Sequence, residues 1–308
     1  MTLSAITDNL DVTALYNRIP DRVQPVVKKW YYRVNPWLSW RDRKRKRETE
    51  EAFLGRFFDD RSEYLHYRDE FNAGKVPAVI TDSMQEFQKE DRKRLFDSHL
   101  EECQKIYAYI RKYEPEVLVE TGVYNGVSTA SLLYALHRNG HGTLYSLDPS
   151  TYLRGIDDED PAFRSWRRSR PSCSEAGSAR CPSSKQTGWL VPDDLRQYWK
   201  QSSGWSRRKL PSLLDDVGEI DLFFHDSDHS KSTMLFEFEH AWTHLAPGGI
   251  LFSNHVGWND AFEIFTGDRT DDCGLVTWHY NPKRDYPMPG RAGYAVKPAD
   301  GVSPDIQG

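Results

Sequence analysis

The chain has no apolar run long enough to span a membrane, no C-x-x-C pair and no G-x-G-x-x-G turn. Without a membrane span it reads as a soluble globular protein, with 38% hydrophobic, 13% aromatic and 28% charged residues. Without paired spacing its four cysteines, Cys103, Cys173, Cys181 and Cys273, read as free thiols and not as a disulfide or zinc framework. Without the dinucleotide turn, an NAD(P)-dependent oxidoreductase is disfavoured. Positive charge is not in excess either: a net charge of -5 and a pI near 6.1 give no global attraction to nucleic acid, which is not expected as a partner. The opening residues, MTLSAITDNLDVTAL, carry acids where a secretion signal carries bases, so the expected location is cytoplasmic. At 308 residues there is room for one large α/β domain with additions, or for two small domains.

What is present is organised around Val117 to Asp148, VLVETGVYNGVSTASLLYALHRNGHGTLYSLD. A buried strand is followed by a glycine turn (Gly122 to Gly126), a helix carrying Leu132, Leu133 and Leu136, and a second strand ending in an acid. This is half of a nucleotide-binding α/β unit, and a ribose-containing cofactor is its simplest reading. The acid at the end of the first strand, Glu120, would repel a pyrophosphate and suits a cationic cofactor.

The spacing Glu120-x-Gly122-x-x-x-Gly126 resembles motif I of class I S-adenosylmethionine (SAM) methyltransferases. In that family the loop lies along the methionine part of SAM, and the acid closing the second strand holds the ribose hydroxyls. The resemblance implies SAM as cofactor, with Glu120, Gly122, Tyr124, Asn125, Gly126 and Ser128 along it and Asp148 on the ribose.

Residues 1–94 read as an extension of helices and irregular segments. Within it, 28–51 clusters Trp and Tyr side chains before the basic run Arg41 to Arg47. That segment reads as a solvated basic helix offset by Glu48, Glu50 and Glu51, or as a peripheral membrane contact. Asp97 to Tyr113 reads as the helix before the first strand, capped by Ser98 with Glu101. After Asp148 regular structure is expected to lapse until about residue 190, with 155–188 a long mobile insertion rich in Pro, Ser, Arg and Gly. Pro192 to Trp199 then reads as a short helix.

A second informative stretch runs from Ile220 to His255: strand IDLFFH, the loop DSDHS, a helix with Met234, Leu235, Phe238, Ala241, Trp242 and Leu245 on one stripe, a Pro-Gly-Gly stop and strand ILFSNH. This order resembles the fourth and fifth strands of SAM methyltransferases. The implied architecture is α/β: a Rossmann-like class I methyltransferase fold over residues 95–298, a mostly parallel seven-stranded sheet with helices on both faces, an antiparallel strand at its edge, the N-terminal helical extension, and a tail at 299–308.

In an open parallel sheet, ligands gather beyond the carboxyl ends of the strands, so Glu120, Asp148, the run His225 to His229, and Asn254-His255 are expected along one rim. The DSDH loop resembles the D-G-D-H segment of the macrocin-type small-molecule O-methyltransferases, the methyltransferase-24 group. That resemblance implies Asp226 as a magnesium ligand and Asp228 as the base, while Asn254 and His255 stand where the family places two further aspartates. Two readings stay open. One is a divalent metal softer than magnesium on Asp226, Asn254 and His255; the other is metal-free, with His255 or His229 taking the acceptor proton. Asp226 and Asp228 also suit caps of the following helix, and His225 suits either the cofactor or a hydrogen-bonded core position. Trp258, Asn259 and Phe262 follow as candidates to wall an acceptor pocket, and the aromatic extension as a lid. The expected acceptor is a hydroxyl of a small molecule or glycan; a non-catalytic SAM-binding protein is the alternative. The oligomeric state is not legible.

Overall fold

The computed structural model describes residues 36–91, 100–149, 185–257, 259–267, 269–278 and 291–299. Four helices come first: α1 (Pro36–Phe57), α2 (Arg61–Ala73), α3 (Lys75–Asp91) and α4 (Leu100–Tyr113). Strand β1 (Val117–Thr121), helix α5 (Val127–Asn139) and strand β2 (Thr143–Asp148) follow. A 3-10 turn (Asp193–Tyr198) leads into β3 (Trp199–Ser203), then α6 (Ser206–Val217), β4 (Ile220–His225), α7 (Lys231–His244), β5 (Leu245–Ser253), α8 (Ala261–Gly267), β6 (Cys273–Trp278) and β7 (Arg291–Val296).

The strands form one sheet in the order β3-β2-β1-β4-β5-β7-β6. All pairings from β3 to β5 are parallel; β7 is antiparallel to both β5 and β6. The antiparallel strand is therefore second from the edge, not at it. Burial explains the difference: Ala292 to Val296 are all buried and need a neighbour on each side, whereas β6 keeps partly exposed residues at Cys273, Gly274 and Leu275, as suits an edge. Strand order reverses between β1 and β4, which places a crevice beyond their carboxyl ends.

Side chains alternate across the sheet with the period of two that strands impose. Leu118, Leu222, Phe224, Ile250 and Phe252 enter one core with α1 to α5, while Val119, Phe223 and Leu251 enter a second core with α6 to α8. The N-terminal extension is part of the first core. Phe53, Phe71 and Ile80 are fully buried, and Phe57 packs edge-on against Tyr109 and Tyr294 at ring separations of 5.2 and 4.8 Å. The described extension thus seals a sheet face and is not a lid on the rim. Of segment 28–51, residues 36–51 lie in α1, where Lys46 pairs with Glu101 at 2.8 Å; 28–35 lie outside the described residues.

Two expectations about the middle of the chain need correction. Lys185 to Gly188 do not belong to a mobile insertion: Thr187 and Gly188 are buried, and the chain from there to Val191 packs on the glycine turn. Residues 150–184, with Cys173 and Cys181, lie outside the described residues, as do Ser98, Trp258 and 300–308. Further on, the short helix read over Pro192 to Trp199 is the 3-10 turn Asp193–Tyr198, and Trp199 opens the strand WKQSS. Among the described residues it pairs only with β2, and its sequence lacks the apolar run that marks a central strand. The Pro-Gly-Gly turn lies inside β5, with Gly248 at φ +82° and a register shift against β4 between Ile220 and Leu222. Cys103 and Cys273 are free thiols. No helix among the described residues is long and apolar enough to cross a membrane.

Candidate functional site

The glycine turn between β1 and α5 holds three left-handed exceptions at alternate positions: Gly122 at φ +91°, Tyr124 at +49° and Gly126 at +93°. Two things fix it. From below, the Asp148 carboxylate accepts the amides of Val123 and Tyr124 through Oδ2, at 2.6 and 2.9 Å. From the side, residues 185–191 form a strap: the Gly188 amide donates to the Tyr124 carbonyl (2.9 Å), the Leu190 amide to the Asn125 carbonyl (3.0 Å), and the Trp189 indole to Asn125 Oδ1 (2.8 Å). Nothing in the sequence pattern singles out Trp189; its only signal is the run TGWLV closing a polar stretch.

Glu120 lies beneath this turn with no exposed surface. It accepts the hydroxyls of Ser128, Thr129 and Ser146, each at 2.8 Å, and Ser146 Oγ in turn accepts the Trp199 indole at 2.9 Å. Burial pushes its carboxyl up to about 7; the three hydroxyls oppose that rise and the nearby Asp148 charge adds to it. Period two explains the direction: Glu120 shares its face with Leu118, and that face meets α5.

Across the switch point the β4–α7 loop and the turn after β5 supply the other half. His225 is fully buried, its Nδ1 2.7 Å from Glu237 Oε2 on α7 and its Nε2 3.3 Å from His229 Nδ1. Glu237 also accepts the hydroxyls of Thr121 (2.5 Å) and Ser227 (2.7 Å). Burial would raise its carboxyl, yet the charge and hydrogen bond of His225, with the Ser206 and Thr121 hydroxyls, outweigh burial and hold it below the usual range. Sequence reasoning missed Glu237, although an acid inside the stripe Met234, Phe238, Ala241 is a visible sign of a buried partner.

Asp226 Oδ1 stands 3.6 Å from His229 Nε2, and the His229 and His255 rings approach to 4.4 Å. Burial raises the Asp226 carboxyl well above its usual value; the hydrogen bond from the Asn254 side chain opposes this, while the charges of Glu120 and Glu102 reinforce it. His255 has a left-handed backbone at φ +54°. One ligand-type atom from each of Asp226, His229 and His255 lies within 4.8 Å of the others. Asn254, expected beside Asp226 and His255 as a ligand, is 3% exposed and is engaged with the Asp226 carboxylate. Asp228 points to the helix: Oδ1 accepts the Ser230 amide at 2.8 Å and Oδ2 the Thr233 hydroxyl at 3.3 Å, so it braces the loop at the entrance to α7, whose N-cap is Ser230. Asn259 ties α8 to the loop through the His229 carbonyl, and Phe262 packs in the second core.

The two halves touch. The Asp226 amide donates to the Thr121 carbonyl and the Asn254 amide to the His225 carbonyl, each at 2.8 Å, and a Cβ on Gly122 would collide with the Asp226 carbonyl. All the residues expected along the rim are thus at the carboxyl ends of β1, β2, β4 and β5, with Glu120 and His225 beneath it.

Residues 119–256 match the methyltransferase-24 family model, a methyltransferase domain. No curated protein sequence matches the chain. Among solved structures, an O-methyltransferase from Bacillus cereus in complex with SAH is 13% identical, with 71% of this chain and 91% of that one covered and a TM-score of 0.46. TomG from Streptomyces achromogenes, an O-methyltransferase involved in tomaymycin synthesis and in complex with SAM, is 18% identical, with 71% and 89% covered and a TM-score of 0.44. Superpositions this loose add nothing to the sheet order read from the strand pairing. The family match falls on the two halves of the rim and the strands that carry them, so the stretch that is similar to the methyltransferase domain of that family is the one that builds the candidate site.

Proposed function

We propose that this domain transfers the methyl group of SAM to a hydroxyl of a small molecule or glycan, and that the acceptor proton leaves at the cluster of Asp226, His229 and His255. The supporting observation is the meeting of the fixed glycine turn, with Asp148 at its base, and that cluster across the β1/β4 switch point. In-line transfer breaks the bond between sulfur and methyl carbon as the carbon–oxygen bond forms. The sulfonium becomes a neutral thioether, and the alcohol must lose its proton during attack. The cluster offers two imidazoles and a carboxylate, all partly exposed, on the rim where an acceptor would arrive. Asp228, engaged with Ser230 and Thr233, positions the loop; Asp148 is the group for the ribose hydroxyls.

The test is product formation from methyl-labelled SAM with a panel of phenols, glycosides and other small alcohols. His255→Ala is expected to lower kcat/KM by about 10²–10⁴-fold with little change in SAM affinity. Wild-type turnover in that variant would remove the cluster from the reaction, and SAM binding without product from any acceptor would favour a non-catalytic SAM-binding protein.

A further inference from the structure

We propose that Asp226, His229 and His255 bind a borderline divalent transition metal of the iron, cobalt and zinc kind in preference to magnesium, with His229 as a ligand oriented by the buried His225–Glu237 pair. This rests on the cluster's role in acceptor deprotonation and deepens it, but metal binding is read without SAM or acceptor.

Two segments bring the three side chains together: the β4–α7 loop, which carries Asp226 and His229, and the turn after β5, which carries His255. Ligand atoms around an ion at about 2.1 Å stand about 3.0–3.4 Å apart. His229 Nε2 and Asp226 Oδ1, at 3.6 Å, are already near that spacing, and the 4.8 Å envelope leaves His255 to close by about 1 Å. His255 is a ring-bearing residue held at φ +54°, a conformation that persists only where the surroundings fix it.

The hydrogen-bond chain sets the tautomer. A carboxylate can only accept, so the proton between Glu237 and His225 belongs to His225 Nδ1. With that proton on Nδ1, His225 Nε2 stands 3.3 Å from His229 Nδ1, which leaves His229 Nε2 facing Asp226 Oδ1 at 3.6 Å. Carboxylate-to-histidine-to-ligand order of this kind orients metal-binding imidazoles. Asn254 plays a similar part for Asp226, since its side chain holds the carboxylate that would bind.

The donor set decides the metal. Magnesium asks for oxygen ligands in a near-ideal octahedron, whereas two imidazoles and one carboxylate match zinc and iron sites that leave further positions open. The three side chains are partly exposed, so those positions face the rim. An ion there would supply Lewis acidity that lowers the pKa of a bound hydroxyl.

Chelator-treated full-length protein is titrated with cobalt(II), zinc(II) and magnesium(II), reading cobalt absorption in the visible range and heat for all three. One equivalent of cobalt and of zinc is expected to bind, with magnesium at least 100-fold weaker. His229→Ala and His229→Gln should each weaken cobalt binding by more than 10-fold and change its spectrum. Glu237→Gln should weaken it by about 10–100-fold with all three ligands retained. His240→Ala, on α7 but bonded to the Phe236 carbonyl, should leave it unchanged. No stoichiometric cobalt uptake, uptake indifferent to both His229 variants, or magnesium binding as tightly as zinc would overturn the proposal. Metal uptake by a protein that fails to bind SAM would leave it standing while removing the methyltransfer reading, and the reverse result would do the opposite.

Discussion

Gly122→Ala is expected to lower the unfolding free energy by about 2–5 kcal/mol, a large share of the roughly 5–15 kcal/mol typical of a folded protein. Two effects combine. At φ +91° an L side chain costs about 1–2 kcal/mol relative to glycine. The added Cβ also meets the Asp226 carbonyl oxygen and carbon and the Ser227 Cα, all backbone atoms that cannot rotate aside, and overpacking of that kind costs about 1–3 kcal/mol. Gly140→Ala separates the two, because Gly140 has φ +81° but no atom within 4 Å of the position its Cβ would take. Urea unfolding should show a loss of about 1–2 kcal/mol for Gly140→Ala and at least twice that for Gly122→Ala. Equal losses would mean that the glycine turn and the Asp226 loop are not in the contact described, and that the rim is not one unit.

The second large effect is a pH dependence carried by Glu120. Its carboxyl lies at about 7 in the folded protein against an ordinary 4.5, chiefly through burial. Below 4.5 both states are protonated and the group contributes no difference. Between 4.5 and 7 the unfolded chain ionises while the folded one stays protonated, so the folded state binds more protons and stability falls as pH rises. Above 7 the full loss, about 3 kcal/mol, is present. Glu120→Gln cannot titrate. The stability of wild type relative to this variant should therefore drop by about 3 kcal/mol between pH 4.5 and pH 8. A difference that stays constant with pH would show that Glu120 ionises in the folded protein as it does in water.

Much of this arrangement is legible in the residues. β1, α5 and β2, and β4 through β5, are long periodic segments punctuated by glycine and Pro-Gly-Gly, and periodicity of that length outweighs local ambiguity. β3 is not legible, because an edge strand with one neighbour needs no apolar run. The aromatic extension reads as rim cover in the sequence, yet its Phe53, Phe57 and Phe71 are core residues of a sheet face; composition alone does not say which surface an aromatic side chain covers. At the site, acids and histidines in loops stand out because loops that end strands carry chemistry. The groups that orient them are hidden in regular elements, Glu237 within α7 and Ser146 within β2, where their polarity shows only as a break in an apolar pattern. For the same reason position alone puts Asn254 among the ligand candidates and leaves His229, in the loop between β4 and α7, outside that set.

The proposal that the glycine turn and Asp148 form the SAM site is the one on which every other assignment depends. Calorimetric titration of SAM into chelator-treated protein tests this most directly, alongside Asp148→Asn, Asp148→Ala and a parallel titration of NADH. Because Asp148 also holds the Val123 and Tyr124 amides, the two variants should be confirmed folded by circular dichroism. The expected result is one SAM per chain with Kd on the order of 10 µM, at least 10-fold weaker binding in both variants, and no heat from NADH. Absence of SAM binding with or without added metal, or NADH binding in its place, would contradict it.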